Sequence, residues 1–196
     1  MTTTDLGTRD RLVRAMSQAL QQRGLHGVGL NELLTQAQAP KGVLYHHFPG
    51  GKTELAVAAI EATVGHITRA LDDLLAQKAD PQPTLRGWFA AGLKQLERGQ
   101  FERGCPLATV ALESTAEDTA LRQALAQGFS AIRERIALLL ARGGLPEPQA
   151  RRLAALVVST YEGALLQARV AGHVGPMADS AAALLDLLDT LMPPTP

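Results

Sequence analysis

Two ammonium groups, a phenol and two imidazoles fall within one short segment, PKGVLYHHFPGGK from Pro40 to Lys52. Lys41, Tyr45, His46, His47 and Lys52 are the donors that phosphate oxygens and base edges accept from. Advancing about 100° per residue from Leu44 returns to the same face at Phe48, so this pair anchors a helix on its neighbours. Gly42, Val43, Tyr45 and His46 then point outward, with Lys41 and His47 at the edges. Gly42 on the outward face permits close approach to a groove, and Val43 suits a thymine methyl. His46 or His47 suits base edges or phosphate, and Tyr45 a phosphate oxygen. Lys52 precedes a further helix whose first N–H groups also attract phosphate. The competing description is a structural helix with a solvated polar face. A metal role for the His46–His47 pair is disfavoured, because adjacent helical residues diverge by about 100°. No carboxylate stands three or four positions on from either histidine.

This segment needs a partner helix and a tight turn. Leu30, Leu33, Leu34 and Ala37 form an apolar face just before it, and Gln38 to Pro40 supply a three-residue connection. Two short helices so joined describe a helix-turn-helix reader of DNA. Before them, Leu12, Val13, Met16, Ala19 and Leu20 recur at helical spacing over 8–23, with Thr8 as the N-cap and Gly24 as the stop. Spacing predicts further helices over 30–37, 40–47, 53–75, 84–98, 107–113, 118–141, 147–171 and 176–191. Pro40 suits a first helical position, Pro81 and Pro83 separate the fourth and fifth helices, and the closing PPTP reads as a frayed tail. No strand alternation competes. The fold class is all-α, with a three-helix domain over 1–52 and a six-helix domain over 53–196.

Composition narrows the function classes. The 196 residues carry 19 basic and 19 acidic side chains, which argues against a diffusely basic nonspecific binder. Residues 1–55 hold Arg9, Arg11, Arg14, Arg23, Lys41 and Lys52 against Asp5, Asp10, Glu32 and Glu54, a slight basic excess at the reader. Cys105 is the sole cysteine, so neither an intramolecular disulfide nor a cysteine-cluster metal site is possible. No apolar run approaches the length of a membrane span, and MTTTDLGTRDR lacks a signal-peptide core. A cytoplasmic location is the expectation. Glu113, Cys105 and the five histidines show no nucleophile–base spacing, so an enzyme is not expected.

TRDRLVRAM, LNELLTQAQAPKG and above all KGVLYHHFPGGKTEL resemble the TetR family of one-component repressors. Leu30-Asn31, Ala39-Pro40-Lys41-Gly42, the extra glycine in Pro49-Gly50-Gly51-Lys52 and Gly104-Cys105-Pro106-Leu107 are similar to its LmrA/YxaF-like branch. The chain departs from the family at Gly29, Pro40 and Val43, where Ser or Thr is frequent, and Asn31 is the nearest polar substitute. The resemblance assigns DNA contact to Asn31, Pro40, Lys41, Gly42, Val43, Tyr45, His46, His47 and Lys52.

It also implies an effector cavity in the larger domain, where residue types alone show amphipathic helices. Trp88, Phe89, Leu93 and Phe129 line such a pocket or fill a core. Cys105 and Leu107 belong to a chain break whose backbone groups can face a ligand. His66, Thr109, Glu113, Tyr161 and Gln167 are polar groups in apolar contexts. Cys105 has three readings: a buried small hydrophobe, a pocket wall, or a redox thiol with only Arg103 as a basic neighbour in sequence. The last two helices carry more apolar residues than one stripe needs. Leu156, Ser159, Gly163, Leu166, Leu184 and Leu188 are the expected dimer interface. The implied function is a homodimeric repressor on a palindromic operator, released by a small apolar or planar aromatic effector, with no cofactor, no metal and no membrane partner. The alternative is an activator or partner-gated regulator with the same DNA module and no small-molecule pocket.

Overall fold

The computed structural model describes residues 7–192. Residues 1–6, with Asp5 and the start of the leader reading, and the Pro193–Pro196 tail lie outside the described residues. Among the described residues the chain is all-α, with nine helices and no strand. They are α1 (Thr8–Arg23), α2 (Leu30–Gln36), α3 (Lys41–His47), α4 (Gly51–Ala76), α5 (Pro81–Arg98), α6 (Pro106–Glu113), α7 (Thr119–Arg142), α8 (Glu147–Ala171) and α9 (Gly175–Leu191).

Helix ends correct four expectations. Gly7, not Thr8, is the N-cap of α1, and Thr8 is already helical. Pro40 is the N-cap of α3 rather than its first helical residue, with extended ψ 148°. Lys52 lies inside the first turn of α4, since Gly51 at φ +67° starts that helix. The prolines before α5 open it instead of separating it. Asp80 caps by accepting Gln82 N–H at 3.2 Å, and Pro81 and Pro83 occupy first-turn positions where no intrahelical N–H bond is lost. The far end of α8 follows the expected pattern: Gly172, left-handed at φ 70°, returns its N–H to Ala168 O.

Two compact units emerge. One joins the described residues up to Gly65 with Cys105–Gly128; the other joins His66–Gly104 with the residues from Phe129 onward. The division cuts α4 and α7 and groups α6 with the three N-terminal helices, whereas the expected boundary at residue 52 assigns α6 and all of α4 beyond Lys52 to the larger domain.

In the first unit α1 packs on α2, α3 and α6. Leu12, Met16, Leu20, Leu33, Leu44, Phe48, Leu55, Ile60, Leu107 and Val110 are almost wholly buried. In the second, α5, α8 and α9 form one layered contact, with Leu85, Phe89, Leu96, Val157, Met177 and Leu188 at its centre. Gly92 makes the close approach possible. A β-carbon there would stand 2.7 Å from both Met177 Cε and Tyr161 Oη.

Candidate nucleic-acid interface

The turn between α2 and α3 is built by backbone bonds that the local sequence does not announce. Ala39 N–H donates to Leu34 O at 3.0 Å and Gln38 N–H to Thr35 O at 3.1 Å. This is a Schellman-type ending with Gln38, at φ +50°, where glycine is usual. The left-handed conformation costs a non-glycine residue about 1–2 kcal/mol. Arg11 offsets it from α1: its Nε donates to Ala37 O at 3.0 Å and its guanidinium reaches Gln38 O at 3.4 Å. Pro40 then fixes φ at −64° and leads into α3. In the sequence Arg11 reads only as charge; the one signal is that α2 ends without a glycine, leaving carbonyls that need a donor.

Helix α3 is seated as its periodicity predicts. Leu44 is 0% and Phe48 2% exposed, each burial contributing about 1.5–3 kcal/mol. Arg9 lies over the Phe48 ring, 5.3 Å from its centre. Lys41, Gly42, Tyr45 and His46 are exposed, and Val43 and His47 half-buried. A β-carbon on Gly42 would meet nothing within 4 Å, so the backbone there is open to an incoming surface. The His46 and His47 rings sit edge to face with centres 5.1 Å apart. Asn31 is exposed at the start of α2. It borders an open hollow of about 510 Å³ shared with Leu34, Thr35, Gln38, Pro40 and Lys41.

Charge is apportioned unevenly across this surface. Arg23 and Glu32 form a two-pronged exposed pair at 2.8 Å, joining the end of α1 to the start of α2. Their hydrogen bond raises the Arg23 pKa and lowers that of Glu32. Arg11 is committed to carbonyls. Arg9, Arg14, Lys41 and Lys52 remain as cations able to meet phosphate. Lys52 is half-buried. Burial lowers its ammonium pKa, and the charge of Glu113 acts in the opposite direction.

Glu113, expected among the effector-binding residues, is bonded to the backbone of the first unit. Its Oε2 accepts the backbone N–H of Leu25 at 2.5 Å and of His26 at 3.3 Å, clasping the connection after α1. Two consecutive amides aimed at one carboxylate oxygen make a small anion-binding concavity. Gly24 holds φ +67°, and a β-carbon on it would overlap the Glu113 carboxylate. Thr109 donates to Cys105 O at 2.9 Å, Leu107 is buried against Gly128, and Cys105 is the half-buried N-cap of α6.

In the second unit Trp88, Phe89 and Tyr161 come together. Trp88 stacks on Tyr161 with centres 4.5 Å apart and planes 3° from parallel, and Phe89 lies 5.5 Å from the Tyr161 ring. Leu93 and Phe129 are half-buried, whereas His66 and Gln167 are exposed. Gln167 donates to Gly163 O one turn back. Of the expected dimer residues, Leu156 and Leu166 are exposed at 42% and 51%, Ser159 is exposed and Gly163 faces open space. Leu184 and Leu188 are 5% and 1% exposed. They fill the chain's own core because α9 packs on α5 and α8, and Leu187 and Leu191 are the exposed leucines of that helix. No helix among the described residues is long and apolar enough to cross a membrane.

Residues 12–59 match the family described as bacterial regulatory proteins, tetR family. Residues 81–183 match the LmrA/YxaF-like transcriptional regulator C-terminal domain. An uncharacterized HTH-type transcriptional regulator of Mycobacterium tuberculosis is 31% identical over 87% of this chain and 89% of its own. The HTH-type transcriptional regulator LmrA of Bacillus subtilis is 26% identical over 92% of this chain and 96% of its own. The HTH-type transcriptional repressor NemR of Escherichia coli is 27% identical over 95% and 96%. A crystal structure of reduced NemR superposes with a TM-score of 0.74 at 26% identity, over 95% of this chain and 98% of that one.

Proposed function

From the membership of this chain in the TetR family of DNA-binding transcriptional regulators, with an LmrA/YxaF-like C-terminal domain, we propose that it is a homodimeric, cytoplasmic repressor released from a palindromic operator by a small molecule. The observation that carries the reading is the two-sided character of α3. Leu44 and Phe48 are buried while Lys41, Gly42, Tyr45 and His46 face outward beside an open backbone. Asn31, Pro40, Lys41, Gly42, Val43, Tyr45, His46, His47 and Lys52 form the DNA surface in this proposal. His46 and Val43 meet base edges; Lys41, Tyr45 and Lys52 meet phosphate.

Dimerisation is supported by exposed Leu156, Leu166, Val170, Leu187 and Leu191 on α8 and α9, an apolar excess that one chain leaves in water. A two-fold dimer places two α3 helices on half-sites about one helical turn, or a small multiple, apart. The effector acts by population shift. It binds better to a conformer with a different separation of the two readers, and operator affinity falls by that difference. The similarity to the HTH-type transcriptional repressor NemR supports the direction of control.

The test is selection of bound duplexes from random DNA by the purified chain at moderate salt. Recovery of a palindrome is expected; recovery of no preferred sequence rejects the reading. A second reading, a regulator gated by a protein partner, is favoured by the way Trp88, Phe89 and Tyr161 fill one another's space. Release of the recovered duplex by an apolar aromatic compound separates the two.

A further inference from the structure

The reader α2–α3 is entered through Leu25 and His26, and one carboxylate attends to that connection. Glu113 Oε2 accepts the N–H groups of Leu25 and His26 across 88 and 87 positions of chain. Glu113 is the last residue of α6, a single rod of eight residues whose other end is the Cys105-Pro106 turn. At about 1.5 Å per residue the rod spans roughly 12 Å, and it packs on α1. Asp118 is held below its ordinary carboxyl range first by the Thr115 N–H and hydroxyl, and also by the charge of His26.

We infer that Glu113 is a positioning residue that ties the end of α6 to the segment entering the reader, so that α6 and the DNA-binding surface move as linked parts. The inference rests on the reading of α2–α3 as a DNA-binding module. The link is directional in chemistry as well as in place. Its donors are main-chain amides, so Glu113 is the one side chain that takes part in these bonds. It depends on reach more than on charge, because an amide oxygen at the same distance accepts the same two bonds. The coupling is reciprocal: whatever shifts α6 biases the reader, and DNA on the reader steadies α6 by the same free energy.

Hydrogen exchange of the full chain, with and without the selected operator duplex, reads both ends at once. Operator should slow exchange at 41–47, and also at Leu25, His26 and 107–113 by at least tenfold. Glu113→Asp keeps the charge and shortens the arm; Glu113→Gln keeps the arm and removes the charge. The aspartate variant, like Glu113→Ala, should retain slowing at 41–47 and lose it at 107–113, while the glutamine variant behaves as the parent. The link is overturned if the parent shows slowing at 41–47 and none at 107–113, or if the aspartate and alanine variants keep both. No slowing at 41–47 in the parent rejects the DNA-binding reading itself, and the link with it.

Discussion

The ring of Tyr45 lies against Gly51, with Cε1 3.3 Å from the point that a β-carbon on that glycine would occupy. Gly51 also holds φ at +67°. The side chain expected to meet phosphate is therefore propped by the residue that starts α4. Gly51→Ala should lower stability by about 1–2 kcal/mol through left-handed strain and weaken operator binding by displacing Tyr45. Chemical denaturation and fluorescence anisotropy check the two effects separately; an unchanged operator affinity would remove the prop from the account. Tyr45→Phe, which keeps the ring and removes the hydroxyl, should weaken binding with stability intact.

Gly42 makes the contrasting case. A β-carbon there meets nothing, and alanine is better in a helix by about 0.8–1 kcal/mol. Gly42→Ala should raise the unfolding midpoint and lower operator affinity, because the added methyl stands between backbone and groove. A variant that is more stable and binds as well would show that α3 does not approach DNA by this face.

Lys52 carries a charge that burial disfavours, so its folded-state pKa lies below 10.5. A lysine depressed on folding destabilises the folded state wherever it is protonated, and that penalty is relieved as pH rises through the folded value toward 10.5. Lys52→Met should therefore stabilise the protein at neutral pH and flatten its stability profile on the alkaline side. It should also weaken the operator complex and reduce the slope of log affinity against log salt by about 1. Salt titration of both proteins decides this. Arg14→Ala, on an exposed position of α1, should have a mild effect.

Arg11 is a structural cation. Arg11→Ala should destabilise the protein by about 1–2 kcal/mol, less than a fully buried charged hydrogen bond because the site is partly exposed. Gln38→Gly should recover part of that loss in the double variant, since it removes the left-handed strain that Arg11 offsets. Independence of the two substitutions in a double-mutant cycle would count against the capping role.

On the acid side, Asp118 is the group to follow. Its folded pKa is lowered from 3.8, chiefly by the Thr115 N–H. Stability from such a carboxylate is present above 3.8 and is lost as pH falls through the lower, folded value. Asp118→Asn should show a shallower loss of stability below about pH 4 than the parent. Identical acid limbs in the two proteins would reject the assignment.

Trp88 is the only tryptophan, and Tyr161 stacks flat on it. Tyr161→Leu should change Trp88 emission strongly, and an effector that enters this cluster should do the same in the parent. Titration with apolar aromatic compounds, followed by that emission, locates or dismisses the cluster as a ligand site.

Much of the architecture was legible because periodicity and capping agree. Leu44 and Phe48 were assigned inward from spacing alone, and α1 and α8 end where Gly24 and Gly172 stand. Pairings across long sequence separations were not legible. Nothing local marks Arg11 as a cap for α2, or Glu113 as an acceptor for amides 88 positions away. An isolated acid at a helix end reads equally as surface, ligand or link. Leu184 and Leu188, expected at the dimer interface, are buried within the chain for a related reason. A helix with apolar residues on several faces shows that it has several partners, but not which face the chain keeps for itself.

The clasp of Glu113 on main-chain amides has an evolutionary corollary. Every side chain that would read bases could be exchanged without touching it, because no reader side chain takes part. Operator specificity and the tie to α6 can thus diverge independently. Replacing Val43 and His46 with residues suited to another sequence should give a regulator with a new address and an old trigger.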